Sequence, residues 1–119
     1  MTGVLPIIEL GRLEALARDL DSWDDVLDFA GKFLQLLPAR LGAITAALQK
    51  DDQEAAHIAL VSLAASSGAV GALQLEHDAR LADQEVRAGR MGEARGWSPG
   101  LRDDAVKLKA ALEALLRPF

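Results

Sequence analysis

Apolar residues recur along the chain at intervals of three and four, while alternation at period two is nearly absent. That pattern is the mark of amphipathic helices and not of strands. Leu10, Leu13, Leu16, Ala17 and Leu20 outline a short helix ending near residue 20, with Pro6 suited to its first turn. The next stripe is the longest and most regular: Val26, Ala30, Phe33, Leu37, Leu41, Ile44 and Leu48, at steps of 4, 3, 4, 4, 3 and 4. Ser22 with Asp25 three residues on resembles a capping box, and Asp24 and Asp25 favour the positive end of this helix. Pro38 removes one backbone donor inside the stripe, which predicts a bend near residues 35–38 or a break there.

Lys50 suits the negative end of the second helix, and Asp51 followed by Glu54 predicts a new capping box with almost no loop between. The third helix then starts near residue 52, carries Ala56, Leu60 and Leu63 inward, and breaks at Ser66, Ser67 and Gly68. A fourth spans about 69–88 through Ala72, Leu75, Ala79, Ala82 and Val86, stopped by Gly89. The segment "GRMGEARGWSPG" reads as a Gly-rich loop. Ser98 and Pro99 open a last helix with Leu101, Ala105, Leu108, Leu112 and Leu115, ending at Arg117 and Pro118. The short connection near residue 51 favours antiparallel neighbours. The expected fold is therefore all-α: an antiparallel four-helix bundle with a short additional N-terminal helix, in a single domain over residues 1–119.

Composition narrows what such a bundle does. Only five residues are aromatic and none is Tyr, so the core must be aliphatic. The net charge is −5 and no Lys/Arg block appears, which argues against nucleic acid and against anionic membrane surfaces as partners. The absence of Cys excludes disulfides, thiolate metal sites and cysteine catalysis. The first twenty residues lack a basic start and meet Glu9, Arg12 and Glu14 early, so no secretory signal is expected. No window approaches the roughly 20 apolar residues of a membrane span. A cytoplasmic location is expected.

Candidate chemistry is sparse. His57 and Glu54 share a helix face, and Glu76, His77 and Asp78 lie on the next helix, but acidic caps account for Asp51 and Glu54 without a metal. No metal site and no cofactor are expected. Ser62, Ser66 and Ser67 lack a G-x-S-x-G elbow, a strand to carry one and an oxyanion hole. "GAVGAL" fits neither phosphate-loop spacing, so its glycines serve a turn and close packing.

The helix order and the stretch "SLAASSGAVGALQL" resemble the histidine-containing phosphotransfer (HPt) family, whose signature is a His followed by Leu, Lys, small residues and Gly-Ala. The second-helix run "FAGKFLQLLPARLGAITAALQKDD" is similar to that family's long helix, and the resemblance covers essentially the whole chain. Gly71-Ala72 sets the register, and counting ten back from Gly71 lands on Val61. Leu63 takes the Leu position, Ser66 and Ser67 the small-residue run, and Ala64 the position of the Lys.

The resemblance thus implies a two-component phosphorelay module in which the phosphoacceptor is replaced by Val61 and the neighbouring cation by Ala64. Valine has no atom that accepts phosphate, so relay through position 61 is chemically impossible. The leading expectation is a pseudo-phosphotransfer protein, without phosphotransferase activity, that docks a response-regulator receiver domain or a histidine kinase through its second and third helices, with Gln53, His57, Val61, Ala64 and Ala65 as the patch. A second reading keeps phosphotransfer alive through His57, one turn before Val61 and about 6 Å along the helix. A third is a bundle with an unrelated structural or dimerisation role.

Overall fold

The computed structural model describes residues 5–116. Its helices are α1 (Leu10–Leu20), α2 (Trp23–Gln49), α3 (Gln53–Ala69), α4 (Leu73–Arg87), α5 (Met91–Arg95) and α6 (Ser98–Leu116), with no strand among the described residues. The expected stripes form the core: Leu13, Val26, Ala30, Phe33, Leu37, Ile44, Leu48, Ala56, Leu60, Leu63, Leu75, Ala79, Ala82, Val86, Leu101, Ala105, Leu108 and Leu112 are all buried. Of the aromatic side chains among the described residues, Phe33 alone joins that core, while Trp97 is half-buried against it and Trp23 and Phe29 are exposed. Leu41 is half-buried, and Leu10, Leu20 and Leu115 end outside.

Helix α3 packs most extensively on α4 and then on α2, α6 packs on α2 and α4, and α1 lies across α2 and α3. No described helix is long and apolar enough to cross a membrane.

Several boundaries differ from the local signals, some of them where a tertiary partner engages the backbone. Pro6 does not open α1; the helix starts at Leu10 behind Glu9, whose carboxylate accepts the Gly11 N–H at 2.8 Å. The preceding segment is pinned to the α3–α4 turn, with Glu9 N–H donating to the Gly71 carbonyl (2.8 Å) and Gln74 N–H to that of Pro6 (3.2 Å). Helix α2 runs through Pro38 without a break. Asp52, not Asp51, caps α3 by accepting the Ala55 N–H at 3.1 Å, while Asp51 takes the left-handed turn conformation, φ 56 being seen likewise at Asp21 and φ 54 here.

Helix α3 also continues through Ser66, Ser67 and Gly68. Ser66 Oγ accepts from Arg40 Nη1 of α2 (2.7 Å), Gly68 O accepts from Arg12 of α1 (3.2 Å), and Gly68 packs against the Glu76 carboxylate. The turn falls instead at Gly71, with φ +77. The expected Gly-rich loop contains the short helix α5, held because Ala94 is buried and Arg95 donates to the Leu48 carbonyl at 3.1 Å. The predicted end at Arg117 and Pro118 lies outside the described residues.

The Ser22 cap is as expected, its hydroxyl accepting the Asp25 N–H at 3.3 Å. Replacing Ser22 by Ala is expected to lower stability by about 1 kcal/mol, measured by urea denaturation. An unchanged midpoint would mean that tertiary contacts alone hold the start of α2.

Candidate functional site

Helix α3 has one face built for the core and one left open. Ala56, Leu60, Leu63, Ala64 and Ser67 point inward, whereas Ile58, Val61, Ser62 and Ala65 face outward, Ile58 at 60% exposure and Val61 at 40%. Val61 therefore stands on the surface, as does Ala65. Ala64 does not: it is fully buried. Four residues after Leu60, it continues the core stripe, so its place in the expected docking patch is corrected and the surface there is formed without it.

Gln53 and His57 sit on the flank of α3 that meets α4. The Gln53 amide donates to the Val86 carbonyl at 2.7 Å, tying the start of α3 to the end of α4. His57 Nδ1 lies 2.7 Å from Asp83 Oδ1, and the other carboxylate oxygen of Asp83 is 3.3 Å from Arg87 Nε. Asp83 is buried while the His57 side chain is 43% exposed. An ionised carboxylate only accepts, so this bond places a proton on Nδ1 and leaves Nε2 as the unengaged ring nitrogen. Gln53, Glu54, His57 and Arg87 line a shallow depression of about 390 Å³ around it.

Asp83 and Arg87 were not among the residues singled out by spacing. The available signal was Asp83 itself, an acidic residue four after Ala79 and three before Val86 in the inward stripe of α4. His77 is exposed on α4, apart from this cluster.

A second buried acid lies between α4 and α6. Asp104 is 6% exposed and its carboxyl is pushed up to about 7, first by burial and then by hydrogen bonding to Asp78, with Asp103 adding repulsion and Lys107 opposing. Asp104 is thus held toward its protonated form by its burial and by the carboxylates around it.

No family model matches the sequence, and no curated protein matches it. A search of solved structures returns the crystal structure of histidine-containing phosphotransfer protein B (HptB) from Pseudomonas aeruginosa PAO1, with a TM-score of 0.84 over 93% of this chain and 95% of that one. The chain has the HPt fold. Sequence identity is 19%, so the likeness is one of architecture. In this structure α2 is the longest helix, the α3–α4 turn lies at Gly71, and α3 presents Val61 to solvent.

Proposed function

We propose that this chain is a docking module of two-component phosphorelay signalling that binds a receiver or histidine-kinase domain and carries no phosphoryl group at position 61. The observation that supports this reading most directly is Val61, exposed on α3 at the register position where the resemblance puts the phosphoacceptor. An apolar side chain there offers contact area and no nucleophile.

The surface around it suits association. Ile58 and Val61 together expose about one side chain's worth of apolar area, and burying that contributes roughly 1.5–3 kcal/mol. Ala65, one turn on from Val61, has no bulk to hold a partner away. The action would be sequestering or scaffolding, with specificity from the polar flank at Gln53 and His57. Changing Val61 to Arg is expected to weaken binding to the cognate receiver or kinase domain by about tenfold or more, read by calorimetric titration, while the melting temperature stays near wild type. Binding unchanged by that substitution would remove the docking assignment.

A second reading is favoured by one specific arrangement, the His57–Asp83–Arg87 cluster. With Nδ1–H held by Asp83, the Nε2 lone pair could attack the phosphorus of an aspartyl phosphate. The N–P bond would form as the acyl P–O bond breaks, and the receiver carboxylate would leave. Against it stands the displacement of one helical turn from position 61, in a reaction where misplacement by about 1 Å costs on the order of a hundredfold in rate. Incubation with phosphorylated receiver separates the readings: acid-labile label lost in His57→Ala supports transfer, and binding without label supports docking.

A further inference from the structure

A groove runs between α2 and α6, on a side of the bundle to which α3 contributes no lining residue. Its floor is Leu34, Leu37, Pro38, Leu41 and Ala105, and it encloses about 420 Å³. Val106 stands on its α6 wall at 70% exposure, the most exposed large apolar side chain among the described residues. Arg102 and Lys109, four before and three after Val106, share that wall. Neither has an ion-pair partner among the described residues, Arg102 donating only to the Thr45 hydroxyl at 3.3 Å.

The complement of this wall lies on the same molecule. At the start of α2, Trp23 is 54% exposed and Leu27 42%, each followed by an aspartate, Asp24 and Asp28, that is exposed and has no ion pair among the described residues. Trp23 and Leu27 lie on the same stripe of α2 as Leu34, Pro38 and Leu41, at helical steps of 4, 7, 4 and 3. Midway between the two patches is Gly31, where an added Cβ would meet nothing within 4 Å. The backbone there is open to close approach by another helix.

From this we infer that two copies of the chain pair through α2 and α6, with the two α2 helices antiparallel and crossing near Gly31. The two-fold axis then seats Trp23 and Leu27 of each copy in the groove of the other, and brings Asp24 and Asp28 to the Lys109 end of its basic wall, with Arg102 farther along beside Thr45. One operation satisfies both halves and closes the assembly. The charges define the register, because a chain of net charge −5 repels its copy in most other orientations.

A 27-residue α2 is about 40 Å long, and a strip about 15 Å wide along it covers on the order of 600 Å² per copy, somewhat below a standard interface of roughly 800 Å². A reversible dimer is the corresponding expectation. No α3 residue lines this groove, so the dimer surface is distinct from the Val61 patch.

Sedimentation velocity on the full chain over low- to high-micromolar concentration tests the inference. The wild type is expected to shift from monomer to dimer, and Val106→Glu to weaken that dimer by about tenfold or more. Two charge-reversed chains provide the stricter test, one with Asp24→Lys and Asp28→Lys, the other with Arg102→Glu and Lys109→Glu. Each alone should be monomeric, with helical content unchanged by circular dichroism, and their mixture should form a heterodimer. A wild type that stays monomeric throughout, a dimer indifferent to Val106→Glu, or a mixture that fails to associate would overturn it. Receiver binding, measured separately, reports on the docking reading.

Discussion

Replacing Gly71 by Val is expected to cost about 3–5 kcal/mol and to lower the melting temperature by on the order of 15 °C. Gly71 has φ +77, a conformation that a β-branched residue resists. A Cβ there would also lie 2.5 Å from the Glu9 carbonyl oxygen and 3.0 Å from Arg12 Cβ. Neither neighbour is the loose end of a side chain, so the segment leading into α1 must move. That movement would break the Glu9–Gly71 and Gln74–Pro6 backbone hydrogen bonds, each worth about 1 kcal/mol. Gly100→Ala is the contrasting control: its Cβ would meet nothing within 4 Å, and in a helix the change is expected to stabilise by about 0.5–1 kcal/mol. Thermal melts of both variants check the pair. A Gly71→Val protein melting with the wild type would mean that the α3–α4 turn is not held as described.

The second large effect concerns pH. The Asp104 carboxyl sits at about 7 in the folded protein against 3.8 for an ordinary aspartate, with burial as the leading cause and Asp78 next. Between those values the folded chain binds more protons than the unfolded chain, so this group's contribution to stability is complete below about pH 4 and is lost as pH rises through about 7. That is the reverse of a salt-bridged aspartate. Asp104→Asn keeps the shape, lets an amide donate to Asp78 and removes the titration. The variant is expected to be more stable than wild type at pH 8 by on the order of 2–4 kcal/mol, with the gap closing toward pH 4. Urea midpoints across that range measure it. A gap that stays constant with pH would show that Asp104 is already ionised throughout.

How the chain encodes its site can be judged residue by residue. The outward position of Val61 follows from helical phase, since Leu60 and Leu63 define the buried arc and Val61 lies about 100° from Leu60. The same phase buries Ala64, four after Leu60, although the small-residue composition around it suggests an open surface. The His57–Asp83 bond had no comparable signal. Its partners are 26 residues apart, and their meeting depends on how far α4 slides and turns against α3. The Asp78–Asp104 pair is of the same kind, joining two helices separated by α5.

By itself, the sequence determined the all-α class, the capped start of α2, the aliphatic core stripes and the outward phase of Val61 on α3. Those properties rest on side-chain identity, on periodicity and on hydrogen bonds spanning a few residues, all written locally. Only the tertiary structure decided that Asp52 and not Asp51 caps α3, that α3 runs past Ser66 to Ala69, that a helix occupies the Gly-rich segment, and which polar groups meet across helices. In each of these the local preferences are nearly balanced. A contact from elsewhere in the bundle, such as Arg40 on Ser66, Arg95 on the Leu48 carbonyl or Glu9 on Gly71, is worth enough to tip them.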